Sequence, residues 1–183
     1  WRNVPAGTKS LALQVYDPDA PTGSGFWHWA VYNIPASASG LPQGAGNQAS
    51  RLPAGAFGGN TDFMDTGATG GNGNYGGPCP PIGRHRYFHK LYALDIGLGE
   101  LSHPTKAQVE AAMEGHVLAH AERRHAGRQQ DQRGQDVGVV RIDLVQAGAR
   151  DRPQDEAERR YRGGDAGERA LQHGSQCAKH ARI

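Results

Sequence analysis

Twelve of the chain's 16 arginines follow Glu122, whereas every aromatic residue except Tyr161 precedes it. A core needs large apolar side chains. A segment rich in Arg, Gln, Asp and Gly cannot bury enough surface to offset the entropy of ordering it. The folded unit is therefore expected over residues 1–122, with residues 123–183 as an Arg-rich tail, poorly ordered or out of frame. Within that tail only Val137 to Val145 has the apolar content of a strand. Arg123 to Arg128 can be encoded by CGG CGC CAC GCT GGT CGG. Read one base on, the same string gives Gly-Ala-Thr-Leu-Val-Gly, an ordinary strand, so a shifted reading frame is the favoured account of the tail.

Nine acidic residues are mixed among the tail's basic ones, which argues against a uniform phosphate-binding stripe. With a formal net charge of +2, no nucleic-acid partner is expected. At 183 residues there is room for one domain plus an appendage. No apolar run approaches the roughly 20 residues needed to cross a bilayer, so no transmembrane segment is expected. The chain opens at Trp1 without a charged-then-apolar leader. Its two cysteines, Cys79 and Cys177, make neither a disulfide framework nor a metal spacing, and the simple expectation is an unpaired thiol or a reducing compartment.

Lys9 to Tyr16 alternates, with Leu11, Leu13 and Val15 on one face and Ser10, Ala12 and Gln14 on the other, the pattern of a half-buried strand. Asp17-Pro18-Asp19 ends it, because proline cannot continue a ladder. Further strands are expected from about Trp27 to Ile34 and from about His85 to Leu94. Between them lies a Gly/Asn/Pro-rich stretch, roughly residues 35 to 81, of the kind that carries function or short strands. One helix is expected. Thr105 and Gln108 form a capping box, and Val109, Ala112, Met113, Val117 and Ala121 recur at helical spacing.

Three stretches concentrate polar chemistry. They are Asp17-Pro18-Asp19-Ala20-Pro21, then Phe26-Trp27-His28-Trp29-Ala30-Val31-Tyr32-Asn33, then Gly77-Pro78-Cys79-Pro80-Pro81-Ile82-Gly83-Arg84-His85-Arg86-Tyr87. Period-2 alternation puts His85 and Tyr87 on one face of the last strand and Arg86 on the other. Imidazole N–H and phenol O–H groups near a glycine loop are donors suited to phosphoryl oxygens. A carboxylate beside an imidazole orients the ring and favours its charged form. The aspartates could also accept from an ammonium group.

In this order the three stretches resemble the phosphatidylethanolamine-binding protein family, most closely its bacterial, Raf-kinase-inhibitor-like branch. The resemblance runs to about Glu122. It implies a mainly β fold of two packed antiparallel sheets with one or two peripheral helices. It also implies a non-enzymatic pocket for a phosphate-type anion or phospholipid head group, with no cofactor and no metal. The ligand set implied is Asp17, Asp19, Pro21, His28, Gly77, Pro80, His85 and Tyr87, and Phe26, just before Trp27, is expected to border the pocket. The partner would be a phosphate-containing small molecule or a phosphorylated protein, in regulation of a kinase or protease, and a homodimer stays open. The usual first strand of the family is missing before Trp1, so the domain reads as truncated at its start. A cytoplasmic location is expected, with the periplasm left open by that start.

Other readings are weaker. The Asp/His cluster would also suit a metal-dependent or acid/base hydrolase, although its histidines lack the close helical spacing of zinc enzymes. Cys79 is flanked by prolines with no oxyanion arrangement nearby. Gly71 to Gly76 matches the dinucleotide fingerprint, but no apolar strand precedes it and prolines follow where a helix should start.

Overall fold

In a computed structural model that describes residues 1–46, 49–63, 75–128 and 142–146, the alternating segment is strand β1, Ser10–Asp17. It pairs antiparallel on one side with β2, Phe26–Pro35, and on the other with β4, Arg84–Leu94. The remaining strands are β3 at Phe57–Gly58, β5 at Val117–Arg128 and β6 at Val145–Gln146. All pair antiparallel in one six-stranded sheet of order β3-β2-β1-β4-β5-β6. The mainly β class holds. A second packed sheet is not found among the described residues.

Both faces of this sheet are covered, which changes the reading of β1. On one face Leu11, Leu13, Val31, Ile34, Leu91 and Ala93 join Ile142 and Leu144 in a core, with Trp1, Val4 and Leu41 packed against it. On the other, Ala12, Tyr32, Tyr92 and Leu94 meet Val109 and Met113 of the helix. The half-buried strand expected from alternation is therefore buried on both sides, except at Tyr16. Gln14 is fully buried, and neither amide atom finds a hydrogen-bond partner among the described residues.

The helix, α1, covers Lys106–Met113. Thr105 Oγ1 accepts from the Gln108 backbone N–H, and Gln108 Oε1 accepts from the Thr105 N–H at 2.8 Å, so both arms of the capping box are made. Thr105→Ala should lower stability by about 1 kcal/mol, read as a lower urea midpoint with unchanged slope. An unmoved midpoint would show that the cap contributes nothing.

The helix is shorter than expected. Gly115 takes φ +80°, a left-handed conformation that ends it, and Val117 and Ala121 belong to β5 instead. Their four-residue spacing fits both periods. Pairing along the whole of β4 decides for the strand and buries Ala119 completely. β5 also runs through the Glu122 boundary as far as Arg128. Of the apolar stretch expected in the tail, residues 137–141 lie outside the described residues, while Ile142 and Leu144 are buried and Val145 begins β6. Among the described residues no helix is long and apolar enough to cross a membrane.

Candidate functional site

The centre of the site is the end of β1. Asp17 is 2% exposed, the last residue of a strand that the following proline terminates. Its Oδ1 accepts from the Asp19 backbone N–H at 2.9 Å, an Asx turn that bends the chain away from the sheet. Its Oδ2 accepts from His85 Nδ1 at 2.7 Å, and His28 Nε2 stands 3.9 Å from the same oxygen.

His28 reaches this point through an irregularity in the sheet. Val15 pairs with Trp29 and Tyr16 with Trp27, so His28 is the extra residue of a β-bulge. Bulges re-aim side chains beside sites of function. Here the bulge buries both Trp27 and its neighbour His28 and turns the imidazole toward Asp17. The His28 Nδ1–H donates to the Gly76 carbonyl at 2.8 Å, and the Gly76 N–H donates to the His28 carbonyl at 3.1 Å. A Cβ at Gly76 would collide with the Phe63 ring, so only glycine fits there. Phe26, Phe63 and Tyr87 surround the His28 ring edge-on, at centroid distances of 5.1, 5.2 and 5.1 Å.

β4 supplies the other wall by regular alternation. His85 and Tyr87 are buried, and Arg84 is exposed with Arg86 half-buried. Burial and then the Asp17 charge raise the Tyr87 hydroxyl far above its ordinary range. The Cys79 backbone approaches that hydroxyl, but no partner of full hydrogen-bond geometry is found among the described residues. Cys79 itself is disulfide-bonded, not the unpaired thiol expected, and Cys177 lies outside the described residues.

The structure thus brings Asp17, Phe26, His28, His85 and Tyr87 together. Asp19 is adjacent but otherwise engaged. Its two carboxylate oxygens accept from the Arg86 backbone N–H at 2.9 Å, from Nε at 2.8 Å and from a terminal guanidinium nitrogen at 2.7 Å. The hydrogen bonds of the Arg86 side chain hold the Asp19 carboxyl below the usual carboxylate range. Pro80 is buried in the loop before β4, whereas Pro21 and Gly77 are exposed. Among the described residues no group of three or more His, Cys, Asp or Glu side chains is placed to hold a metal ion.

Residues 1–124 match the phosphatidylethanolamine-binding protein family. The chain belongs to this family. Among curated relatives, it is 50% identical over 97 residues to the UPF0098 protein YbhB of Escherichia coli, covering 52% of this chain and 57% of that one. It is 52% identical to Escherichia coli YbcL over 97 residues, covering 51% of this chain and 49% of YbcL. The chain therefore spans about half the length of these two relatives. A UPF0098 protein of Methanothermobacter thermautotrophicus is 48% identical over 66% of this chain and 74% of its own length. The crystal structure of Escherichia coli YbcL, described as a member of the mammalian PEBP family, superposes with a TM-score of 0.62 at 41% identity. It covers 70% of this chain and 76% of YbcL.

Three residues of the site escaped sequence reasoning. Gly76, not Gly77, makes the backbone contact to His28. Phe63 packs edge-on against the same ring, and Arg86 neutralises Asp19. None of the three left a local signal in the sequence.

Proposed function

We propose that His28, His85 and Tyr87, with Asp17 orienting the His85 ring, bind a phosphate-type anion without chemical turnover. Phe26 and Pro80 serve as apolar walls, and Asp19, Pro21 and Gly77 shape the rim. The observation that carries this reading is the set of uncommitted polar groups around one buried carboxylate. Both imidazoles spend Nδ1–H on a protein acceptor, which leaves His28 Nε2 and His85 Nε2 for a ligand. The Tyr87 hydroxyl is buried with no partner of full geometry among the described residues, a desolvation penalty that a phosphoryl oxygen would offset. A phosphorylated side chain presents the same group, which is how such a pocket would regulate a kinase or protease by binding.

The ammonium of an ethanolamine head group finds little here. Asp17 is engaged by His85 and Asp19 by Arg86. Inorganic phosphate and O-phosphorylethanolamine are therefore expected to bind alike in calorimetry, within about threefold, less than one added hydrogen bond would give. Tyr87→Phe separates ligand from fold. Removing a buried hydroxyl that has no partner of full geometry should leave thermal stability nearly unchanged, while phosphate affinity falls by about five- to tenfold. No heat with either ligand, or unaltered affinity in Tyr87→Phe, defeats the assignment.

A further inference from the structure

A bulge disrupts the ladder, so the backbone around His28 needs partners from outside the sheet. β3 pairs further along β2, at Val31 and Tyr32, and does not supply them. Residues 60–63 do. The Trp27 N–H donates to Asp62 Oδ2 at 2.8 Å, and the Asp62 N–H donates to the Trp27 carbonyl at 3.0 Å. Asp62 thus grips both backbone groups of the residue before His28. Lys106, the first residue of α1, places its Nζ 3.1 Å from the same Oδ2 and 5.3 Å from the Trp27 ring centroid. At the other end of the segment, the Asn60 N–H donates to the Pro104 carbonyl and its Nδ2 to the His103 carbonyl, each at 2.7 Å. Phe63, next to Asp62, is buried edge-on against the His28 ring and crowds Gly76, whose carbonyl accepts the His28 Nδ1–H. Asp62 is the joint between the bulge and the ring's apolar wall.

We propose that Asp62 is a positioning residue for His28. Its grip on Trp27 holds the bulge that aims the imidazole, and the same turn presses Phe63 against the ring. Asp62 acts through Trp27 and Phe63, not by contact with an anion. What His28 requires at this position is an acceptor for the Trp27 N–H. The negative charge serves Lys106 and the seating of α1. The orientation of the ring is set before any ligand arrives, and only its consequence for affinity rests on the anion reading above.

The test is the long-range proton–nitrogen NMR spectrum of the anion-free full chain, with His28 assigned by its loss in His28→Gln. In mildly alkaline buffer, where imidazole is neutral, this spectrum reports which ring nitrogen carries the hydrogen. The parent should show the Nδ1–H form. In Asp62→Ala the Nε2–H form should appear beside it, and calorimetric affinity for inorganic phosphate should fall by about tenfold, the worth of one hydrogen bond to a charged group. Asp62→Asn keeps an acceptor for Trp27 and loses the charge, so it should retain the parent's His28 signals and affinity. Lys106→Met should retain both as well while lowering the urea midpoint. If Asp62→Ala does not fold, Asp62→Glu replaces it, since it keeps the charge but carries the acceptor one methylene further, and should disturb the same signals. Parent-like His28 signals in Asp62→Ala, or in Asp62→Glu where that variant stands in, would overturn the proposal. So would undiminished phosphate affinity despite altered signals, or an equal loss of the Nδ1–H form in Lys106→Met. Altered signals in a chain whose parent binds no phosphate would uphold the positioning role and remove the anion reading alone.

Discussion

Asp17→Ala is expected to lower the stability of the folded domain by about 3 kcal/mol, a large share of the 5–15 kcal/mol typical of a whole domain. Truncating one partner of a buried ion pair costs about 3–5 kcal/mol when the other charge is left stranded. Here the partner is an imidazole, which can stand neutral. The penalty then falls to that of an unpaired buried N–H, about 1–3 kcal/mol. The Asp19 backbone N–H loses its acceptor too, which adds about 1 kcal/mol through the Asx turn. Asp17→Asn keeps an oxygen that can accept from either donor and should lose less than half as much. Urea unfolding of the two variants decides it. An Asp17→Ala midpoint within experimental error of the parent would mean that the carboxylate does not hold His85 in place.

That carboxylate also marks where sequence reasoning succeeded and where it stopped. Regular alternation located His85 and Tyr87 on the inner face of β4 because that part of the strand has no irregularity. His28 was identified by residue type and motif. Its orientation was not legible, since parity assigns Trp27 and Trp29 to one face and the bulge breaks that parity. The Asp19–Arg86 pair spans 67 positions, and nothing local in either segment announces it. As a result the engagement of Asp19 by Arg86 was not legible. The length of α1 was ambiguous for a simpler reason: residues four apart satisfy a helix and a strand equally, and only the partner strand chooses. The described strands form one sheet, so the layer count implied by resemblance remains an expectation, not a finding.

Anion binding at the two histidines should take up protons, and affinity should fall as pH rises. The argument starts from tautomers. A carbonyl and a carboxylate can only accept, so Nδ1 carries the hydrogen in both His28 and His85. A neutral ring then offers a lone pair at Nε2, which repels a phosphoryl oxygen. To donate from Nε2 the ring must be imidazolium. Charge balance points the same way. An anion held roughly 6 Å from Asp17 is repelled by about 3 kcal/mol at an effective dielectric near 20, and one added proton removes most of that. The linkage is to be read between pH 5 and 8. Because binding favours the protonated ring, tightening occurs as pH falls. Sulfate, whose own charge is constant there, separates this effect from the titration of phosphate. Calorimetry in buffers of different ionisation enthalpy should report about one proton taken up per anion. His85→Asn retains a donor for Asp17 while removing Nε2. It should weaken binding by about ten- to a hundredfold, the worth of a charged hydrogen bond, and reduce the uptake. Binding of undiminished strength in that variant, or heats independent of buffer, would remove the histidines from the anion's contacts.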